Sequence, residues 1–148
     1  MIKLGRLTDY AVTLLTQMTS SDKVWAASDL SERAGLPLPT TSKVLKQLAK
    51  SGIVQTKRGA TGGYRLAKPA AAVTVAAIVE AMDGPIALTE CTDTGDHTCG
   101  VESICPMSGH WNRVNRAIKR ALEDVSLADM MIMPPSAPNS PAIVRGEA

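Results

Sequence analysis

The run from Leu36 to Ala67, LPLPTTSKVLKQLAKSGIVQTKRGATGGYRLA, constrains the fold more than any other part of the chain. Val44, Leu45 and Leu48 make a buried stripe at helical spacing, Pro39 suits a first helical turn, and Gly52 suits the helix end. Ile53, Val54 and Thr56 then favour a strand, RGATGG a turn, and Tyr64 to Leu66 a return strand. Just upstream, SDLSERAG reads as a short helix, with Ser28 as N-cap, Leu30 and Ala34 facing inward, and Gly35 at the C′ position. Short helix, turn, second helix, hairpin with a Gly-rich tip: this order predicts a winged helix-turn-helix, whose second helix enters a DNA major groove.

The flanks predict more helix. Leu4, Leu7, Ala11, Leu14, Leu15 and Met18 place an amphipathic helix over about residues 4–20. TVAAIVEAMDGP adds another, with Thr74 as cap and Gly84-Pro85 as stop. A long helix starts near Trp111, and its apolar positions Trp111, Val114, Ile118, Leu122 and Val125 are spaced 3, 4, 4 and 3, close to a coiled-coil seam. A helix outside the compact domain has no core of its own to cover that seam, so a partner chain is expected to do so. The expected fold class is mostly α: a winged helix-turn-helix domain over 1–84, a cysteine-rich loop over 85–110, a long C-terminal dimerisation helix over 111–131 and a Pro/Ser-rich disordered tail over 132–148.

Charge position matters more than the net charge of +2. From Arg33 to Lys68 there are eight Lys or Arg and no Asp or Glu, whereas Pro69 to Asn112 holds six acids and no Lys or Arg. Such a split points to a polyanion partner, and together with the order of elements above to double-stranded DNA. The expected contacts are Thr40, Thr41, Ser42, Lys43 and Lys46 on the second helix, with Lys57 and Arg58 around the wing tip. No apolar run reaches membrane-helix length and MIKLGRLTDY lacks a signal-peptide core, so a cytoplasmic chain with reduced thiols and no membrane partner is expected. No nucleophile–base pair and no P-loop Lys-Ser/Thr is present, which argues against an enzyme and a small-molecule substrate.

All three cysteines, Cys91, Cys99 and Cys105, fall in ECTDTGDHTCGVESICPMSGHW, with seven and then five residues between them. That is neither the paired CxxC spacing of zinc ribbons nor the tight run of bacterial ferredoxins. A polar, acidic, Gly-containing loop builds no core by itself, yet thiolates converging on a metal centre would order it. Soft thiolates suit an iron–sulfur cluster, zinc or Cu(I); an iron–sulfur cluster ranks first, a zinc site completed by a histidine second, and no metal third. His97, His110 and Asp9 are the candidate fourth ligands, Asp9 on condition that a neighbouring subunit delivers it.

LGRLTDYAV, SDLSERAGLP, KVLKQLAKSGIVQTKRGATGGYRLA and the three-cysteine loop before a Trp-led helix together resemble the Rrf2 family, over roughly residues 1–130. These are bacterial dimeric winged-helix regulators of IscR and NsrR type, and the opening LGRLTDYAV is most similar to the branch that regulates SUF iron–sulfur assembly genes. The resemblance implies a homodimeric DNA-binding repressor of those genes that senses cluster status. It implies a 2Fe-2S or 4Fe-4S cluster on Cys91, Cys99 and Cys105, wing residues Arg58, Gly63 and Tyr64, and a recognition helix beginning at Thr40 to Lys43. IscR-like members supply a histidine three residues after the last cysteine, a position that is Ser108 here; other members use an acidic residue of the partner's first helix, which matches Asp9, so the resemblance ranks Asp9 first as fourth ligand, His110 second and His97 third. The first cysteine gap is also longer than the family's usual five. The alternatives are a nitric-oxide or redox sensor of the same family, a zinc-stabilised dimeric regulator, and a cluster-binding electron-transfer protein, which the acid-free basic stretch disfavours.

Overall fold

A computed structural model describes residues 3–132. Its helices are α1 (Arg6–Met18), α2 (Ala27–Ala34), α3 (Leu38–Lys50), α4 (Val75–Asp83), α5 (Trp111–Glu123) and α6 (Leu127–Met131), and its strands are β1 (Val54–Lys57) and β2 (Gly63–Leu66). The expected disordered tail lies, from residue 133 onward, outside the described residues.

Helices this short are marginal alone, and tertiary burial holds them. Ala11, Leu14, Leu15, Leu30, Val44, Leu45 and Leu48 share one core with Trp25, Ile53, Val54, Ile78, Met82 and Leu127. Each fully buried Leu or Ile contributes about 1.5–3 kcal/mol, more than any cap found here. Two caps foreseen from sequence are present: Gly35 ends α2 at φ 64, and the Thr74 hydroxyl accepts from the Ala77 amide at 3.1 Å. A third is supplied across the fold. Asp83, at the end of α4, accepts from the Gly5 amide at 3.0 Å and the Thr8 hydroxyl at 2.8 Å, placing a carboxylate at the positive end of α1.

β1 and β2 pair antiparallel, Val54 opposite Leu66 and Lys57 opposite Gly63. Trp25 adds a further rung: its amide donates to the Tyr64 carbonyl at 2.7 Å, and its carbonyl accepts from the Tyr64 amide at 2.8 Å. This rung keeps the chain extended up to Ala26, which becomes the N-cap of α2. Ser28, expected as the cap, sits instead inside the first turn.

The C-terminal helix also differs from expectation. It does not run from 111 to 131 but stops at Glu123. The Val125 carbonyl accepts from the Val75 amide at 2.8 Å, and the Leu127 amide donates to the Val73 carbonyl at 2.7 Å. A capping box between Ser126 and Asp129 then starts α6. Ile118, Leu122 and Val125 pack on Val75, Ala76, Val79 and Ile86, so this half of the seam is covered within the chain. Trp111 and Val114 remain 43% exposed each.

Candidate functional site

The exposed side of α3 carries Pro39, Lys43, Lys46 and Lys50, with Thr40 and Ser42 half-buried beside them. Thr41 is a correction. It is fully buried on the same inner stripe as Val44, Leu45 and Leu48, and its hydroxyl has no partner among the described residues. A side chain packed in the core cannot read a base. Ser42, Lys43, Lys46 and Lys50 line an open groove whose other wall is Glu80 and Ala81 of α4. Gln47 ties the two walls together, donating to the Ala81 carbonyl at 2.9 Å and the Met82 carbonyl at 3.2 Å.

A carboxylate in a basic groove would repel phosphate. Here Glu80 is paired with Lys119 of α5, Nζ to Oε1 at 2.7 Å, and that hydrogen bond raises the lysine pKa above its ordinary value. The helix that follows the cysteine loop thus neutralises the acid beside α3.

On the wing, Lys57 and Arg58 are exposed around a turn closed by the Gly62 amide on the Gly59 carbonyl at 3.0 Å. Arg65 donates to the Gln55 side chain through Nε and a terminal nitrogen at 3.3 and 3.1 Å, which holds its cation on the outer face. Gly63 and Tyr64, expected at the DNA, have a structural duty. A Cβ on Gly63 would lie 2.2 Å from the Trp25 carbonyl oxygen, and Tyr64 is half-buried against the core. On the near side of Trp25, the Lys23 Nζ stands 3.9 Å above the indole ring, beside Arg33 at 5.1 Å.

The three cysteines border one cleft. Cys91, Cys99 and Cys105 are free thiols of intermediate burial that line one cleft with Leu88, Thr89, Glu90, Met107 and Trp111. Among the described residues, no three His, Cys, Asp or Glu side chains converge closely enough for a single metal ion. By donor chemistry the cleft fits an iron–sulfur cluster: three soft sulfurs, walls of Leu, Met and Trp, and one carboxylate at the edge.

The expected fourth ligands lie elsewhere within this chain. His97 has its Nδ1 on Glu102 Oε1 at 2.9 Å, and His110 is exposed at the start of α5; neither lines the cleft. Asp9 is exposed on α1, in a separate groove with Leu4, Arg6, Val12, Val75 and Met130. Only a second copy could bring it to the thiols. Glu90, adjacent to Cys91, is the acid that does line the cleft, and its place next to a cysteine was the available signal.

A sequence model of the Rrf2 family, described as an iron-dependent transcriptional regulator, matches residues 4–132. The HTH-type transcriptional regulator IscR of Yersinia pestis is 32% identical over 124 residues, which cover 82% of this chain and 74% of that protein. The HTH-type transcriptional regulator NsrR of Oceanobacillus iheyensis is 28% identical over 132 residues, 88% of this chain and 90% of its own. Among solved structures, CymR, described as the global cysteine regulator of B. subtilis, aligns with a TM-score of 0.66 at 22% identity, over 88% of this chain and 96% of that one. IscR of T. potens aligns with a TM-score of 0.61 at 24% identity, over 87% and 85%. At those identities the structural likeness speaks for the fold alone.

Proposed function

The chain belongs to the Rrf2 family of transcriptional regulators, and from that premise we propose that it binds double-stranded DNA as a homodimer and represses iron–sulfur assembly genes according to the state of a cluster held on Cys91, Cys99 and Cys105. One observation carries the reading. The three thiols share one cleft at the start of α5, and the same helix, two turns on, supplies Lys119 to the groove beside the recognition helix.

Each part of the chain has a task. Ser42, Lys43, Lys46 and Lys50 present hydroxyl and cationic groups to base edges and phosphates. Lys57 and Arg58 reach the backbone or a minor groove from the wing tip. Gln47 and the Lys119–Glu80 pair connect α3, α4 and α5, so a shift of α5 changes both the position and the charge of the DNA-facing groove. When bound, an iron–sulfur group supplies a redox-active, ligand-reactive centre that thiols alone lack. Asp9 of a second copy remains the proposed fourth ligand, and the opening LGRLTDYAV is what supports SUF-type targets.

The test is anaerobic purification with absorption spectroscopy, iron and sulfide quantification, and a mobility-shift assay on the protein's own promoter with and without the cluster. A brown protein whose visible absorption is lost in Cys99→Ser, and whose DNA affinity depends on the cluster, is the expected result. A colourless protein with one tightly bound zinc per chain, or one that does not shift DNA, would overturn the reading.

A further inference from the structure

The single buried residue of α5 is an asparagine. Asn115 is 4% exposed and follows Val114 of the apolar stripe, on the inward side of the helix between Trp111 and Ile118. Its hydrogen-bonding groups are spent on one target, the loop segment that carries Cys91. Nδ2 donates to the Ile86 carbonyl at 2.9 Å and to the Thr94 hydroxyl at 3.0 Å, and Oδ1 accepts from the Leu88 amide at 2.9 Å. The Thr94 hydroxyl in turn donates to the Ile86 carbonyl at 2.6 Å. Both ends of the segment 86–94 are therefore fastened to one side chain. One turn earlier, Asn112 exchanges two bonds with Asp93, at 2.8 and 2.6 Å, and Arg116 pairs with the same carboxylate at 3.2 Å. Inside the segment, buried Thr92 donates to the Thr89 carbonyl at 2.9 Å, and the Thr89 hydroxyl lies 3.4 Å from the Cys91 sulfur.

The other two thiols are held differently. Among the described residues, every hydrogen bond made by residues 98–110 stays within 96–112, mostly as single turns such as the Glu102 amide on the Cys99 carbonyl. An apolar side chain at position 115 would suit the helix stripe, and the polar one there costs burial unless every group is paired. Its pairing is complete and directed at a single loop.

We propose that Asn115 is a positioning residue that docks the Cys91 branch onto α5 in the free protein, so that Cys91 is the preset thiol and the Cys99–Cys105 branch is the one that closes on a bound group. The proposal rests on the cysteine cleft being the ligand site, and it deepens that reading by giving the three thiols unequal roles. The test uses full-length, metal-free, reduced protein, so it does not depend on which group the cleft holds. Each cysteine is alkylated under limiting reagent and followed by mass spectrometry, in wild type, Asn115→Leu and Thr94→Val. Losing the clamp opens the segment locally, and Cys91 should react about tenfold faster in Asn115→Leu and several-fold faster in Thr94→Val, with Cys99 and Cys105 within about twofold of wild type. Hydrogen exchange at the Leu88 amide should accelerate in parallel. Unchanged Cys91 reactivity in both variants, or an equal rise at all three thiols, overturns the proposal. A protein that shows the Cys91 effect but never acquires a cluster would instead count against the proposed function.

Discussion

Gly63→Ala probes the contact on which the wing is built. A methyl group there would lie 2.2 Å from the Trp25 carbonyl oxygen and 2.7 Å from its carbon, both backbone atoms with little freedom to yield. Relief requires parting the Trp25–Tyr64 rung, whose two bonds are 2.7 and 2.8 Å. Each such bond contributes about 0.5–1.5 kcal/mol net, and overpacking that forces backbone shifts costs about 1–3 kcal/mol. Together these give a loss of about 2–6 kcal/mol, or roughly 8–24 °C in Tm at about 4 °C per kcal/mol for a domain of this size. Gly35→Ala is the control: φ is 64 there, but nothing lies within 4 Å of the added carbon, so only the left-handed strain of about 1 kcal/mol applies. Thermal unfolding by circular dichroism compares the two, and a mobility-shift titration well below both transitions reads the wing. The expected result is a large Tm drop with weakened DNA binding for Gly63→Ala, and a small drop with normal binding for Gly35→Ala. Equal Tm shifts would refute the close approach, and undiminished DNA affinity would refute the wing's part in binding.

Lys119→Ala leaves Glu80 unpaired in the groove and should weaken DNA binding several-fold in the mobility-shift assay, while the double change with Glu80→Gln should restore it. The pair is partly exposed and adds only about 0.2–1 kcal/mol to stability. Because the folded lysine pKa is raised above 10.5, that contribution is complete at neutral pH and disappears as pH climbs above this value, which urea melts at pH 7 and pH 11 in the presence and absence of Lys119 would register. Thr41→Val removes an unpaired buried hydroxyl and should leave stability within about 1 kcal/mol, or raise it, with the footprint unchanged, whereas Ser42→Ala should alter sequence preference. Lys46→Ala should weaken binding to all sequences alike and lower the salt dependence, log K against log salt, by about one unit of slope.

Local chemistry was legible and tertiary chemistry was not. Gly35, Thr74 and the Lys57–Gly63 hairpin tip act through bonds a few residues away, and their roles can be read from the residues themselves. Asp83 capping α1 spans 78 residues to Gly5, and nothing in either stretch announces the other. The break after Glu123 lies between these cases. The apolar seam runs on to Val125 without a local stop, and the rung joining residues 73–75 to 125–127, which ends the helix ahead of the Ser126–Asp129 capping box, is long-range. Thr41 was on the buried stripe by its spacing to Val44, Leu45 and Leu48; its hydroxyl, at the helix start where bases are read, suggested otherwise.

The same comparison explains why three cysteines in a row of fifteen residues did not reveal their own ligand environment. Thiol spacing says which sulfurs can share a site, and all three line one cleft. It says nothing of what lies behind them, and here that is α5. One face of this helix packs Ile118 and Leu122 on α4, another fastens the Cys91 segment through Asn112, Asn115 and Arg116, and Lys119 pairs with Glu80 at the groove beside α3. A helix fastened on these faces ties the cleft to the groove through one element, so any displacement of α5 at one end would be felt at the other. That makes the polar residues of α5, rather than the cysteines, the part of the chain that would carry a signal between cleft and groove.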